Sequence, residues 1–277
     1  MTNLNNIARY SGGAWSAFPN HGLNNTVYAF ALIGSDLYVG GKFTQSSDTL
    51  VPNLNHIAKY NGSTWSALSN SGLNGDGVYT LAMSGSDLFV GGSFTQSADT
   101  SVTPLRNIAK YSGGVWFALS NGGLNGWVSA ITMNGSDMYV GGNFTQTFDG
   151  LLLSLNHIAK YSGGTWSALS QTGLNDRVYA IAVNGSDLYA GGWFTQTANT
   201  TVTNLNYIAK YSGGAWSALP NNGLDNWVYA LAVNGNDLYV GGSFNQTKDT
   251  LVANLNHIAR LGLPSSGSKL YLPLIMR

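Results

Sequence analysis

Residues 178–219 read VYAIAVNGSDLYAGGWFTQTANTTVTNLNYIAKYSGGAWSAL, and this stretch decides the fold because the chain repeats it about every 50 residues. The segment Ile-Ala-Lys/Arg begins at Ile7, Ile57, Ile108, Ile158, Ile208 and Ile258. A second segment, Asp-Leu/Met-Tyr/Phe-Val/Ala-Gly-Gly, begins at Asp36, Asp87, Asp137, Asp187 and Asp237, and a tryptophan recurs at Trp15, Trp65, Trp116, Trp166 and Trp216. Self-similarity at one fixed period is typical of repeat architectures. The chain therefore contains five complete units and one additional Ile-Ala-Arg segment.

Each unit has the pattern of four short β-strands separated by turns. The dipeptide Asn184-Gly185 accepts the positive φ angles of a tight hairpin, and Ser212-Gly213-Gly214 marks a second turn. Strand formers and turn formers dominate the composition, which excludes a helical solenoid. Antiparallel pairing of the second and third strands places Asp187 near Lys210, so we predict an ion pair between them. The predicted strands of this unit are residues 178–183, about 187–194, 206–211 and 216–219.

Four strands in about 50 residues are typical of a propeller blade. The sequence therefore predicts an all-β, five-bladed β-propeller of four-stranded antiparallel blades over residues 1–262, followed by a C-terminal tail at residues 263–277 that lies outside the repeat. Large aromatic side chains dominate the energetics of packed cores. We therefore expect the repeated tryptophans to pack between blades.

The third strand of the unit occurs six times and the other strands occur five times, so the chain begins at one third strand and ends after another. We expect the N-terminal strand at residues 15–18 to join the C-terminal strands near Val228, Leu238 and Ile258 and to close the ring, since closure removes free sheet edges. One third strand, at residues 4–10 or 255–261, is then surplus and could pair with another chain to form a homo-oligomer. The tail segment at residues 269–275 is an alternative outer strand.

Three segments of one unit resemble the kelch repeat, whose units carry a double glycine followed by a tyrosine and a tryptophan. They are Leu188-Tyr189-Ala190-Gly191-Gly192, Ile208-Ala209-Lys210-Tyr211 and Trp216, and the resemblance covers nearly the whole chain. Only four residues separate Tyr211 from Trp216, where the kelch pattern usually has more, so the chain resembles a kelch-like bacterial variant. The resemblance implies a binding platform, because kelch propellers mostly serve in that role.

Charge is scarce and balanced in this chain: 9% of the residues are charged, with twelve basic and twelve acidic residues. A neutral surface has no basic field to attract nucleic acid, so we expect no nucleic-acid partner. No apolar run is long enough to predict a membrane span. The C-terminal tail resembles short tails on some secreted bacterial proteins, which implies an extracellular or cell-surface location, although the chain shows no signal peptide.

Reactive residues outside the repeat pattern are few. All twelve acidic residues are aspartates, whereas propeller glycosidases need paired carboxylates that usually include a glutamate. The aspartates at unique positions are Asp76, Asp176 and Asp225, and the recurring histidines are His56, His157 and His257. These histidines occupy one position in separate units, so they are not expected to share a metal ion. We predict no catalytic residues, no metal site and no cofactor; the chain is expected to bind rather than to catalyse.

Two positions vary strongly between otherwise similar units. Immediately before the first strand stand Thr26, Gly77, Trp127, Arg177 and Trp227, and directly after the double glycine stand Lys42, Ser93, Asn143, Trp193 and Ser243. Because the chain reverses direction with each strand, both positions should lie toward the same face. Neutral drift of exposed loops is one interpretation. The other is function, since exposed tryptophan is unusual unless it packs or binds.

On the functional interpretation, we predict a ligand-binding face formed by Trp127, Trp193 and Trp227, with Arg177 and Asn143 as polar partners. Aromatic rings surrounded by Asn, Ser and Gly suit stacking on sugar rings or docking of a protein loop. The leading hypothesis is a lectin-like, non-enzymatic module that binds carbohydrate. The alternative is a structural or protein–protein interaction module of a secreted or surface bacterial protein.

Overall fold

A computed structural model describes residues 4–263 of the chain. In this range the protein is all-β, and its strands form six antiparallel sheets: four sheets of four strands, one of three strands and one of two. None of these six sheets closes on itself. The predicted repetition of four-stranded antiparallel sheets is confirmed, but the described residues form six sheets rather than five blades.

Neighbouring strands within each sheet are also neighbours in sequence, so every sheet is a meander of hairpins. The two-stranded sheet pairs β1 (Ala8–Ser11) with β2 (Ala14–Ala17). The complete sheets contain β3 (Val27–Ile33), β4 (Asp36–Gly41), β5 (Ile57–Tyr60) and β6 (Trp65–Ala67); β7 (Gly77–Ser84), β8 (Asp87–Ser93), β9 (Ile108–Ser112) and β10 (Val115–Ala118); β11 (Val128–Asn134), β12 (Asp137–Gly142), β13 (Ile158–Ser162) and β14 (Thr165–Ala168); and β15 (Val178–Asn184), β16 (Asp187–Gly192), β17 (Ile208–Ser212) and β18 (Ala215–Ala218). The last sheet contains β19 (Val228–Asn234), β20 (Asp237–Gly242) and β21 (Ile258–Gly262).

Local sequence explains the turns that join these strands. Gly185, in the hairpin between β15 and β16, has a φ of 60°, a left-handed conformation that glycine adopts without steric cost. A short 3₁₀ turn follows the fourth strand of a sheet and precedes the first strand of the next one. These turns are Pro19–His21, Ser69–Ser71, Ser120–Gly122, Ser170–Thr172 and Pro220–Asn222.

The described chain divides into two compact structural units, which are distinct from the sequence repeats and are called the first unit and the second unit below. The first unit holds the residues up to Ile131 together with Thr147–Leu151, and the second holds Thr132–Gln146 together with the residues from Leu152 onward. Each unit has its own buried apolar clusters, built from the Leu, Val, Phe and Trp residues that recur in the repeat. The core of each unit thus follows directly from the repeated apolar positions.

Sheets within a unit pack face to face through a glycine of one sheet and a valine of the next. At Gly40, an added methyl group would lie 2.5 Å from Cγ1 of Val78, well inside van der Waals contact. The second-strand glycine therefore has a packing role, because any side chain would push the sheets apart. The same overlap recurs at Gly91 with Val128, Gly141 with Val178 and Gly191 with Val228.

Four of the five repeat tryptophans are buried, at 3–6% exposure: Trp65, Trp116, Trp166 and Trp216. The indole Nε1 of Trp65, for example, donates a hydrogen bond to the carbonyl oxygen of Pro19 at 3.2 Å. The predicted burial is confirmed for these four residues. It is wrong for Trp15, which is 54% exposed. The reason is that Trp15 lies in the two-stranded sheet, and no described sheet precedes it.

The predicted ring closure by the terminal strands is not shown. β2 pairs with β1, and β21 has β20 as its hydrogen-bonded neighbour among the described strands. Each terminal third strand pairs with the strand next to it in sequence. The alternative outer strand at residues 269–275 lies outside the described residues.

Candidate functional site

The two variable positions of a sequence repeat are direct neighbours, at the end of the hairpin formed by the first two strands of that repeat. The backbone N–H of Trp193 donates a hydrogen bond to the carbonyl oxygen of Arg177 at 2.9 Å. The same bond joins Ser243 to Trp227 and Lys42 to Thr26, both at 2.8 Å. In these three repeats the two positions lie side by side at one end of a sheet, as expected if both lie toward the same face. Their side chains can therefore act together.

The side chain of Arg177 joins two other predicted site residues in the second unit. Its Nε donates a hydrogen bond to Oδ1 of Asn143 at 3.2 Å. Its guanidinium carbon lies 4.8 Å from the ring centroid of Trp193, within the range of a cation–π contact. Asn143 follows β12 and Trp193 follows β16, so Arg177 bridges the ends of two sheets.

The ring of Trp193 stacks on that of Trp227, with centroids 4.2 Å apart and an interplanar angle of 21°. Tyr179 contacts the edge of Trp193 at 5.8 Å and that of Tyr229 at 5.6 Å. Trp193 is partly buried, whereas Trp227 is 36% exposed and Tyr229 is also exposed. We call Arg177, Tyr179, Trp193, Trp227 and Tyr229 the aromatic–arginine cluster.

Trp127, the remaining predicted site residue, belongs to the first unit. Its ring lies 6.4 Å from that of Tyr79 in an edge-to-face contact, and Tyr79 contacts Tyr28 at 5.6 Å. The structure therefore brings together four of the five predicted residues, namely Asn143, Arg177, Trp193 and Trp227, within the second unit. Trp127 lies in an aromatic row of the first unit.

The electrostatic environment of the cluster is set by Asp176, Arg177 and His157. Burial lowers the pKa of the His157 imidazole below its ordinary value; the Asp176 carboxylate acts in the opposite direction, and the Arg177 guanidinium adds to the lowering. The imidazole is therefore neutral at neutral pH. The guanidinium of Arg177 then supplies the positive charge of the cluster.

All twelve aspartates have structural partners. Those in the hairpin turn form ion pairs: Asp36 with Lys59, Asp87 with Lys110, Asp137 with Lys160, Asp187 with Lys210, and Asp237 with Arg260. Asp48, Asp99, Asp149 and Asp249 each accept a hydrogen bond from the Ser or Thr two residues earlier, at 2.7–2.8 Å. Asp76, Asp176 and Asp225 accept hydrogen bonds from Ser93 Oγ, the Arg177 N–H and the Asn245 N–H. The carboxylates thus stabilise turns and strand ends, and the predicted pair of Asp187 and Lys210 is confirmed.

Residues 4–263 include neither a metal-binding cluster nor a membrane-spanning helix. Within that range, no group of three or more His, Cys, Asp or Glu side chains is placed to hold a metal ion. The same residues include no helix that is long and apolar enough to cross a membrane.

The sequence interpretation missed Tyr179 and Tyr229. Both occupy the second residue of a first strand, in which most other residues are apolar. A signal was present, since a tyrosine recurs at this position as Tyr28, Tyr79, Tyr179 and Tyr229 among small and aliphatic residues. A polar hydroxyl on an otherwise apolar strand indicates a side chain at the boundary of the core.

Neither a protein-family model nor a curated protein sequence matches this chain. Solved structures do match its fold. A chain of the nidogen–laminin complex matches over 92% of this chain and 84% of its own length, with 13% identity and a TM-score of 0.54. A computationally designed protein matches over 68% of this chain and 91% of its own length, with 13% identity and a TM-score of 0.42. The extracellular domain of a hybrid two-component system from B. thetaiotaomicron matches over 84% of this chain and 27% of its own length, with 12% identity and a TM-score of 0.48.

At 13% identity, the match to the nidogen–laminin complex shows the fold alone. Together with the repeated four-stranded sheets, it defines the class of protein: an all-β repeat protein with a β-propeller-like fold. The narrower resemblance to kelch repeats stays a prediction.

Proposed function

We propose that this chain is a non-enzymatic binding module that docks a protein segment on the aromatic–arginine cluster of its second unit. The observation that carries the proposal is the stack of Trp193 on Trp227, with Arg177 held against it by Asn143. Tryptophan, tyrosine and arginine are the residue types that most often dominate binding energy at protein interfaces. The cluster combines all three at one end of the strands.

Contacts within the chain hold the side chains of the cluster in place. The hydrogen bond from Arg177 to Asn143 orients the guanidinium, and the ring stack restrains Trp193 and Trp227. Side chains that are already ordered lose little conformational entropy on binding, so more of the contact energy appears as affinity. The exposed rings of Trp227 and Tyr229 are the surface that a partner would cover.

The charge of the chain indicates how such a partner is recognised. The net charge is zero, and the lysines of the third strands are paired with aspartates. Long-range electrostatic steering is therefore weak, and binding should depend little on ionic strength. The match to a chain of the nidogen–laminin complex, itself a protein–protein complex, supports a protein partner. The extracellular or cell-surface location predicted from sequence is part of this proposal.

Carbohydrate binding is the second candidate function. The exposed indole of Trp227 favours it, because an open aromatic face can stack on a sugar ring. The ring of Trp193 is less suitable, since Trp227 and Arg177 already contact it. Both candidates use a site within one unit, so neither requires the closed five-bladed ring predicted from sequence.

The two candidates are separated by screening the intact chain against a phage-displayed peptide library and a glycan array. We expect selected peptides to bind the wild type and to lose affinity at least about tenfold with Trp227→Ala or Arg177→Ala, as for interface hot spots. Binding on the glycan array that falls with Trp227→Ala would favour the carbohydrate function instead.

The matched control is Phe117→Ala, which removes an exposed aromatic ring outside the cluster. This variant should bind selected peptides as the wild type does. Melting temperatures establish that each variant is folded. If the wild type, the cluster variants and the control all bind equally well, the aromatic–arginine cluster is not the binding site.

A further inference from the structure

In each complete sheet of the first unit, the tryptophan of the fourth strand binds to the 3₁₀ turn that precedes the sheet. We call this binding position the tryptophan socket. Trp65 donates its indole hydrogen bond to the carbonyl oxygen of Pro19, and Trp116 donates the same bond to Ser69, at 3.2 and 3.0 Å. Both acceptors are the first residues of a 3₁₀ turn. The apolar residue before each turn belongs to the same site: the ring of Phe18 lies 5.4 Å from that of Trp65, and Leu68, which is 5% exposed, belongs to the buried cluster of Trp116. The socket therefore recurs at both complete sheets of the first unit.

In the second unit, the socket at the last sheet is open. An apolar pocket there is lined by Leu219, Pro220, Leu224, Val240, Ala259 and Leu261, among other residues. Pro220 begins the fifth 3₁₀ turn, at the position whose carbonyl accepts the indole bond in the first unit. The buried cluster around the pocket includes no tryptophan from the described residues, and Leu219 is only partly buried.

Trp15 is a repeat tryptophan without a socket. It is 54% exposed, and its ring contacts that of Tyr10 in a tilted arrangement at 5.1 Å, as the ring of Trp116 contacts that of Tyr111 at 4.8 Å. β21 carries Leu261 at the position of these tyrosines. β2 thus presents an exposed tryptophan that fits the open pocket in chemistry and in strand position.

The sheet that begins with β3 and the last sheet also have complementary exposed faces. A methyl group on Gly241 would meet, among the described atoms, only Cβ of Ala230 at 3.7 Å, in contrast to the overlap with valine at the earlier second-strand glycines. On β3, Phe30 and Leu32 are 56% and 66% exposed. Leu81, which occupies the position of Phe30 in the next sheet, packs against a buried cluster. The face around Gly241 and the face of β3 are therefore both uncovered, whereas the equivalent faces of other sheets are packed against each other.

We propose that a second copy of this chain docks head to tail on the last sheet, with Trp15 of the second copy in the pocket beside Pro220 and its β3 against Gly241. The resulting contact continues the interface that already joins sheets within each unit, which is why the occupant is this chain and not an unrelated protein. In a dimer formed by such a heterologous contact, one copy still has a free Trp15 and β3, and the other copy still has a free last sheet. Further copies can therefore bind, and larger rings or open chains form as the protein concentration rises.

The incoming copy brings its own third strand, β1, which takes the place of β21, so that Ala8 and Tyr10 of that copy stand where Ala259 and Leu261 line the pocket now. The contact of the Tyr10 ring with Trp15 favours this exchange, because β21 has Leu261 instead of an aromatic ring. The hairpin of β1 and β2 then completes a four-stranded sheet with β19 and β20, in the order found in the complete sheets.

Two substitutions disable the two ends of the contact separately. Trp15→Ala removes the inserted side chain and leaves the last sheet unchanged. Gly241→Val fills the receiving face, where the structure has room for a side chain. Neither residue belongs to the aromatic–arginine cluster, so the variants that test this proposal differ from those that test the proposed function.

Sedimentation velocity over a series of protein concentrations is the measurement. The wild type is expected to shift from monomer to dimer and larger species, and each variant is expected to stay monomeric with an unchanged melting temperature. An equimolar mixture of the two variants should form a dimer and nothing larger, since the mixture retains one intact end of each kind. The matched control, Gly191→Val, should lower the melting temperature, because Val228 occupies that space.

Two results would overturn the proposal. One is a mixture of the two variants that remains monomeric while the wild type associates, since association then uses other surfaces. The other is a wild type that sediments as a monomer at every concentration. If Trp15→Ala and Gly241→Val also lower the melting temperature of that monomer, the pocket is filled from within the same chain and the second copy is excluded.

Discussion

The indole Nε1 of Trp116 donates a hydrogen bond to the carbonyl oxygen of Ser69 at 3.0 Å, which joins β10 of one sheet to the 3₁₀ turn before it. The indole is 3% exposed. It therefore fills the core, and its buried N–H group has the hydrogen-bond partner that a buried donor needs.

We expect Trp116→Ala to lower the free energy of unfolding by about 3–5 kcal/mol, as deletion of a large buried aromatic side chain does. Urea unfolding measures this change. The matched control is Trp15→Ala at low protein concentration, which should have a much smaller effect because Trp15 is exposed. Equal losses for the two variants would contradict the assigned burial.

The second-strand glycines provide a prediction about packing. Gly191→Ala should lower the free energy of unfolding by about 1–3 kcal/mol, since the new methyl group overlaps Val228 and overpacked cores lose stability by this amount. Gly241→Ala is the control and should be close to neutral, because that position has space for a methyl group. Thermal and urea unfolding of both variants check the difference. A neutral Gly191→Ala would show that the sheets can move apart without loss.

The ion pair of Asp187 with Lys210 should contribute little to stability. The atoms Oδ2 and Nζ are 2.5 Å apart, but both side chains remain partly exposed to water. Such pairs typically contribute about 0–1 kcal/mol. A double-mutant cycle with Asp187→Asn and Lys210→Met measures the coupling energy. A coupling of several kcal/mol would mean that the pair is shielded from solvent.

The pH dependence of stability should reflect His56 and His157. Burial lowers the pKa of both imidazoles, so between the folded value and the unfolded value of about 6.5 the unfolded chain binds more protons. Stability therefore rises with pH through this window and is lost as the pH falls below about 6.5. Urea unfolding at a series of pH values measures the slope.

The test of this assignment is the double variant His56→Asn with His157→Asn. Asn107 occupies the equivalent position of another repeat, directly before Ile108, with a φ of 64°, so the backbone tolerates the replacement. The slope of stability against pH should decrease in the variant. If the slope is unchanged, other groups titrate in this window.

Local signals in the sequence were sufficient for the repeat, the strands and most of the turns. The predicted strands of the unit at residues 178–219 agree with β15 to β18 to within two residues at each end. Turn residues and strand formers act over a few positions, so they determine hairpins without long-range information. The ion pair of Asp187 with Lys210 followed from the same local pairing.

Part of the candidate site was also predictable. Comparison of the units identified Arg177, Trp193 and Trp227 as exceptional, and the structure places them in contact. The stack of the two indoles was not predictable, because it depends on how two neighbouring sheets pack. The contribution of Tyr179 was not predicted for the same reason.

Tertiary structure decided which copies of the repeat are buried. The sequence Ser-Gly-Gly-Ala-Trp-Ser-Ala occurs identically at residues 11–17 and 212–218, and both copies form a hairpin of a third and a fourth strand. Trp216 is nevertheless 3% exposed and Trp15 is 54% exposed. Sequence alone determined the hairpin, since its turn and its strand pairing are local. Burial depends on whether a preceding sheet lies against the tryptophan, and only the tertiary structure supplies that sheet to Trp216 and leaves Trp15 without one.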